Sequence, residues 1–416
     1  MTRRAIYVNC DGLERDWIAR AELATLSELR RTSLWCSDHR AIFPSATRAS
    51  AASMATGCLP RRHGLFGNRV AFTEDGRLVV YDVGHPNFFD DMRRITGKTL
   101  HVPTLAERIA PDRAFVAYSN VSAGAAAALD PDQHGTVFHR MRSHGPGGAV
   151  HQPLSVTLDV AGDTQLTDMF LDDVLQAGGS TIGVLWFGNP DAALHEHPIG
   201  SAAHVSTLTA IDALVAKVVQ RISHLREVHG EDILFVVGSD HGHEHISDGV
   251  DVVGWARTRG FGDDLDAGRI AFATQGTAFL VYASDLDAAR LDQLLDAIAS
   301  QLWAGEVARG SALDILGVSQ SQDLVAAVNM GSVARDDDLQ EGRWAAFEGP
   351  TFSGIGHGQH GGWGAYETKP FLIVNHPNQR ATVRTAASSL VDIAPTILQF
   401  IGLPTMGMDG SSLGAM

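Results

Sequence analysis

Cysteine is scarce in this 416-residue chain: there are three, Cys10, Cys36 and Cys58, with no C-x-x-C pair among them. An odd number so spaced supports neither a disulfide framework nor a thiolate zinc site, and reads as small buried hydrophobes in a reducing compartment. Positive charge is also short, with Lys+Arg 32 against Asp+Glu 48 and a net charge of −16. That balance argues against wrapping a nucleic-acid polymer or lying on an anionic bilayer. No apolar run approaches the ~20 residues of a membrane span. The opening stretch MTRRAIYVNCDGL is broken by Asn9 and Asp11 before it reaches the roughly 7–15 apolar residues of a secretory signal. The expectation is a cytoplasmic protein without a membrane partner. No internal repeat is visible at solenoid periods.

What is present is an ordinary globular balance, 44% hydrophobic and 19% charged, in a chain longer than the roughly 250–300 residues one core sustains. Short apolar runs rich in β-branched residues read as buried strands at Ala5–Asn9, Ala114–Tyr118, Thr181–Phe187, Asp232–Val237, Ala278–Ala283 and Pro370–Val374. Continuous rather than alternating runs suit a parallel sheet covered on both faces. Between them, Leu208, Ile211, Val215, Val218, Ile222 and Leu225 recur at three- and four-residue steps and form one helical stripe. Asp285–Trp303 and Ser388–Ile401 read as helices too, the second kinked or restarted at Pro395. Strands alternating with helices predict an α/β fold with a mostly parallel central sheet flanked by helices. Residues 244–349 interrupt that pattern with strand and helix signals of their own. They are expected to form a smaller inserted cap subdomain on a core of residues 1–243 and 350–416. The stretch Asn120–Gln152, rich in Gly, Ala and His without periodicity, reads as a long surface loop.

Acids stand where the strands stop: Asp11 after AIYVNC, Asp191 after VLWFGNP, and Asp240 with His241 after ILFVVGS. In an open parallel sheet the carboxyl ends of the strands converge on one crevice, where ligands bind. One such Asp is most often an N-cap or turn residue; three, two of them accompanied by histidines, are harder to dismiss. A helical turn after Pro190 would put Asp191 and His195 on one face, able to grip one metal ion, although taken alone the spacing is a weak signal and an N-cap Asp beside a surface His is its plainer account. Asp240 and His241, being adjacent, share a site only in a loop. His243 and His245 extend the same cluster, and solvent-facing loop histidines are the plainer account of those two. Glycines flank His357 and His360 and permit close backbone approach to a ligand; His360 is the one favoured, because its H-G-G-W-G context leads into a strand.

Pro44 before a run of small residues marks a turn into a helix with Thr47 near its N-terminus, where backbone N–H groups and the helix dipole favour a phosphate. A threonine hydroxyl is a feeble nucleophile unless a metal or base activates it. Taken alone, Thr47 or Ser50 reads by default as a helix cap.

Together these pieces resemble the alkaline phosphatase superfamily, most closely its nucleotide pyrophosphatase/phosphodiesterase and phosphonoacetate hydrolase branch. The match runs nearly the whole chain in the family's order: strand–DG at Asp11, P-x-x-T with T-G-x-x-P and H-G-x-x-x-N from Thr47 to Asn68, P-D-x-x-x-H at Asp191, D-H-G at Asp240 and H-G at His360. The tail, Leu390-Val-Asp392-Ile-Ala-Pro395-Thr396, Gly402-Leu-Pro404 and Asp409-Gly410, looks like the closing helix and loop of sulfatases and their phosphodiesterase relatives. The resemblance implies an alkaline-phosphatase-like core and two divalent metal ions, zinc in the first place and manganese as the alternative. Asp191, His195 and His360 would hold one ion; Asp11, Thr47, Asp240 and His241 would hold the other. Carboxylates and imidazoles without thiolate suit such metals. Thr47 would be the nucleophile, passing through a phosphothreonine, and Asn68 would donate to a phosphoryl oxygen.

The chain departs from the phosphodiesterase pattern after the nucleophile. Arg48, Ala49 and Ser50 stand where an aromatic residue, a proline and an asparagine are usual, so Arg48 and Ser50 join Asn68 as candidate substrate contacts. Thr47 in place of cysteine or serine counts against a sulfatase. The leading expectation is a two-metal hydrolase of phosphodiesters acting on a small phosphate ester. The rivals are a hydrolase of carbon–phosphorus bonds in a phosphonate, a phosphomonoesterase, and a non-catalytic binding protein on the same scaffold. For the phosphonate rival, Arg48, Arg69 and Lys98 are candidates for a substrate carboxylate.

Overall fold

A computed structural model describes residues 3–20, 22–318, 323–334 and 341–414. A ten-stranded sheet runs through its centre, in the order Thr382–Arg384, Leu34–Cys36, Leu372–Asn375, Asp232–Gly238, Arg3–Cys10, Ile182–Phe187, Phe115–Ser119, Thr136–Phe138, Ser143–His144 and Val150–His151. Arg3–Cys10 lies parallel between Ile182–Phe187 and Asp232–Gly238, and its register sets Cys10 opposite Phe187 and Asn9 opposite Gly238. The three strands therefore end level, and the acids that follow them emerge at one edge. Residues 5–8, 182–187 and 233–237 are buried throughout, which is why these strands read as unbroken apolar runs.

The predicted helical stripe lies on a 28-residue helix, Ala202–His229, begun by a Ser201 side chain that accepts from His204 N and ended by Gly230 in the left-handed region. By length and hydropathy this helix could cross a membrane. Its buried residues Leu208, Ile211, Val215, Val218, Ile222 and Leu225 instead join Ile6, Val8 and Phe235 of the sheet in one core. Each such side chain contributes about 1.5–3 kcal/mol on burial.

The structure corrects the sequence reading in several places. Leu372–Asn375 joins the central sheet antiparallel to Asp232–Gly238. Ala278–Ala283 does not belong to that sheet and pairs antiparallel with Ile270–Thr274 and Leu324–Met330. The Asp285–Trp303 helix is shorter, Ala288–Ala299, with Asp287 as its N-cap. The Ser388–Ile401 segment is a 3-10 turn, Leu390–Asp392, followed by the helix Ile393–Phe400. Asn120–Gln152 is not a plain surface loop. It holds a helix, Ala123–Ala128, capped by Ser122, and strands Thr136–Phe138, Ser143–His144 and Val150–His151 that extend the sheet. Strands of two or three residues are too short to leave a readable period.

Between Glu244 and Phe347 the described residues build one four-stranded sheet of their own and three strands of a second, which Gly358–Gln359 completes. One carries its own cluster around Phe261, Phe272, Phe279, Leu294, Ile298 and Trp303. From this region Gln275 reaches back to the core, accepting Asn68 N at 2.6 Å and donating to Arg69 O at 2.7 Å.

Candidate metal centre

Asp11, Asp191 and Asp240 leave the level strand ends as the sequence implies, and the chain then turns sharply at each. Gly12 takes φ +70, a left-handed conformation open to glycine, and its N–H donates to Asp240 Oδ1 at 3.2 Å. Asn9 Nδ2 donates to the same oxygen at 3.2 Å, while Trp186 Nε1 donates to Asp11 Oδ2 at 2.9 Å. Each buried carboxylate thus has one oxygen held by the protein. The other oxygens, Asp11 Oδ1 and Asp240 Oδ2, have no hydrogen-bond partner among the described residues. Both lie 3.4 Å from His241 Nε2, and Thr47 Oγ1 is 3.2 Å from that nitrogen. Thr47 is the first residue of the helix Thr47–Thr56.

On the other side, Asp191 opens a short helix, Asp191–Leu194, which carries His195 one turn on. His195 Nε2 lies 3.3 Å, His243 Nε2 2.9 Å and His360 Nε2 3.4 Å from the single oxygen Asp191 Oδ1. His360 is steadied by its Nδ1, 2.7 Å from Ser45 O. Ser45 Oγ is in turn tied to buried Glu367 at 2.9 Å. His357 stays outside this cluster, with Nδ1 3.1 Å from His195 O.

Unpartnered carboxylate oxygens in a buried site are costly unless a cation meets them. Asp11, Asp240 and His241 offer ligand atoms within 4.8 Å of one another, as do Asp191, His241, His243 and His360. The donor set fits divalent cations of the zinc or manganese type. Burial, together with the charges of Asp240 and Asp191, drives the Asp11 carboxyl well above the ordinary range. Burial likewise pushes Asp240 up to about 6. For Asp191 burial is outweighed by the charge of His195 and by hydrogen bonds from His195, His243 and His360, and the carboxyl is held well below the ordinary range. Burial, then His360, drives His241 well down, so its imidazole is neutral.

A cavity of about 640 Å³ opens onto this cluster, walled by Asp11, Thr47, Arg48, Asn68, Asp191, His195, His360 and Arg140 among others. Arg48 Nη1 donates to Asn68 O at 3.0 Å and Nε to Ser122 Oγ at 3.1 Å. Arg48 N donates to Asn68 Oδ1 at 3.4 Å. Ser50, expected among the substrate contacts, is fully buried and does not line the cavity, because it packs on the inner side of its helix. Arg69 is paired with Glu348 at 2.8 Å, and neither it nor Lys98 lines the cavity.

Sequence reasoning missed two residues. His243 is not a solvent-facing loop residue but is 2% exposed and seated against Asp191; its i+2 spacing from His241 was the available signal. Arg140 sits in a stretch without periodicity, and nothing in its neighbourhood marked it.

The family model described as type I phosphodiesterase / nucleotide pyrophosphatase matches residues 5–348. No curated protein sequence matches significantly. Among solved structures, ectonucleotide pyrophosphatase/phosphodiesterase 5 from mouse superposes with a TM-score of 0.70 at 14% identity, covering 98% of this chain and 97% of that one. The human counterpart gives a TM-score of 0.71 at 14% identity with the same coverage. The alkaline phosphatase PafA gives a TM-score of 0.73 at 13% identity, covering 98% of each chain. The mouse protein has also been solved as an inactive threonine-to-alanine variant in complex with AMP.

Proposed function

Because the chain belongs to the type I phosphodiesterase / nucleotide pyrophosphatase family of the alkaline phosphatase superfamily, and is a phosphoryl hydrolase by that membership, we propose that it hydrolyses phosphodiesters with two divalent cations and a threonine nucleophile. The observation that carries this reading is the pair of unpartnered buried oxygens, Asp11 Oδ1 and Asp240 Oδ2, on either side of His241 Nε2 and next to Thr47 Oγ1. Asp11, Asp240, His241 and Thr47 would hold one cation, and Asp191, His195 and His360 the other. Bound there, the pair supplies Lewis-acid charge that favours an alkoxide and a departing oxyanion at neutral pH.

The chain's own groups do the rest. Thr47 Oγ1 attacks phosphorus, the bond to the leaving oxygen breaks, and a phosphothreonine forms. Water then cleaves that ester and restores the hydroxyl. The N-terminus of the Thr47–Thr56 helix faces the phosphoryl group with partial positive charge. Asn68, clamped by Gln275 and the Arg48 N–H, presents its amide nitrogen to a phosphoryl oxygen. The mouse relative's complex with AMP supports a small nucleotide-like substrate.

A second reading has one specific support. Arg48 and Arg140 both line the cavity, and two guanidinium groups suit a substrate with a second anion, such as a carboxylate-bearing phosphonate whose carbon–phosphorus bond is cleaved. A panel of a chromogenic diester, a monoester and phosphonoacetate, run with wild type and Thr47→Ala, separates the two. Diester turnover with a trapped phosphothreonine in the wild type supports the first reading. Turnover of phosphonoacetate alone replaces it with the second, and no turnover of any substrate by cation-loaded protein points to a binding protein.

A further inference from the structure

His243 presents a donor–acceptor conflict. Its Nδ1 lies 3.2 Å from Gly12 O and its Nε2 2.9 Å from Asp191 Oδ1. Both oxygens accept only, and a neutral imidazole carries one N–H, so one nitrogen faces an oxygen lone pair to lone pair. His360 has the same arrangement between Ser45 O at 2.7 Å and Asp191 Oδ1 at 3.4 Å. His241 differs: with its Nδ1 3.0 Å from Gly242 O, its Nε2 can accept from the Thr47 hydroxyl at 3.2 Å. His195 Nε2 faces Asp191 Oδ1 at 3.3 Å. A metal-bound histidine resolves this conflict: it gives one N–H to a carbonyl and keeps the other nitrogen's lone pair for the cation.

The fold also makes room for this ring. A Cβ at Gly12 would sit 2.3 Å from His243 Cε1, and one at Gly358 would sit 3.1 Å from His243 Cδ2. Two glycines on different segments therefore frame the imidazole. His245, two residues further on, is half-buried in the strand Glu244–Asp251 and is not among the residues that converge on Asp191.

We propose that His243 is a fourth protein ligand, with Asp191, His195 and His360, to the cavity-side cation. This assignment rests on the two-cation reading above. A catalytic zinc ordinarily keeps three protein ligands and one open position, so a fourth imidazole changes the number of positions left to substrate. The rival role for His243 is an imidazolium that only orients Asp191.

The test is proton NMR of the full chain loaded with cobalt(II), in which each bound imidazole contributes one exchangeable, hyperfine-shifted N–H signal. Wild type should show four such signals, from His195, His241, His243 and His360. His243→Ala should lose one, and its cobalt affinity should fall by more than the ~10–100-fold typical of outer-sphere changes. His245→Ala should keep all four. Three signals in wild type, unchanged in His243→Ala, overturn the assignment and leave the two-cation reading intact. Absence of bound cobalt and of shifted signals in wild type overturns both. Should His243→Ala not fold, the wild-type count decides, with His243→Gln as the second variant.

Discussion

The two halves of the cluster are built from opposite chemistry. Beside Thr47 stand two carboxylates and one imidazole, Asp11, Asp240 and His241, none more than 1% exposed. Opposite them stand one carboxylate and three imidazoles, Asp191, His195, His243 and His360, with Asp191 17% and His195 35% exposed. The second half compensates its own charge. Asp191 is held low by His195, His243 and His360, and although burial opposes it, Asp191 raises His195. The first half cannot: its carboxyls are driven up by burial and by neighbouring carboxylates, Asp240 and Asp191 for Asp11 and Asp191 for Asp240, and two oxygens are left without partners among the described residues. The half that touches the nucleophile is therefore the one that needs a cation to be stable in its charged form.

That contrast can be broken most severely at the nucleophile. Thr47→Ala should lower diester turnover by on the order of 10⁴-fold or more while leaving the fold and the carboxylates in place. Stopped assays with a chromogenic diester measure it, and a loss under tenfold would remove Thr47 from the chemistry.

Asn68→Ala should lower kcat/KM by about 10–100-fold, the worth of one hydrogen bond to a charged oxygen. Steady-state kinetics measure this loss, which should not be accompanied by a change in bound cation.

Asp240→Asn sharpens the comparison through stability. Asp240 titrates at about 6 in the fold, against 3.8 ordinarily, so the folded chain without cations binds that proton more tightly than the unfolded chain. Its contribution to stability is full below pH ~4 and is lost as pH rises through ~6. The amide keeps the acceptor for Asn9 and Gly12 and places a donor near Asp11. Cation-free Asp240→Asn should then be more stable than cation-free wild type by ~1–3 kcal/mol at pH 7, with the gain vanishing near pH 4. Denaturant titrations at the two pH values check both statements. The same substitution should cost the loaded protein its activity.

The smallest effect is expected at His245. His245→Ala should leave bound cation unchanged and stability within about 0.5 kcal/mol, as for a side chain outside the Asp191 cluster; elemental analysis and thermal unfolding measure the two.

How far the sequence carried this picture differs from residue to residue. Asp11, Asp191 and Asp240 were legible because each ends a continuous apolar run, and parallel strands must deliver their ends to one edge. Leu208 to Leu225 were legible because a helix repeats at short range. His243 was legible only in part: its i+2 spacing from His241 was a signal, but that spacing does not separate it from His245, and the seat between Gly12 and Gly358 is set by distant segments. Ser50 was misplaced because the inner and outer faces of the Thr47–Thr56 helix are set by its packing against Ala123–Ala128, and a run of small residues carries no stripe to reveal them. The clamp of Gln275 on Asn68 spans 207 residues of sequence, and no local pattern could announce it. Arg140 reached the cavity through strands too short to be read.

Native mass spectrometry of the chain equilibrated with zinc or manganese tests the central claim most directly. Two divalent cations per chain are predicted for wild type, with one lost in Asp240→Asn and the other retained. A wild-type chain that binds none, or that hydrolyses diesters undiminished after chelation, would contradict it.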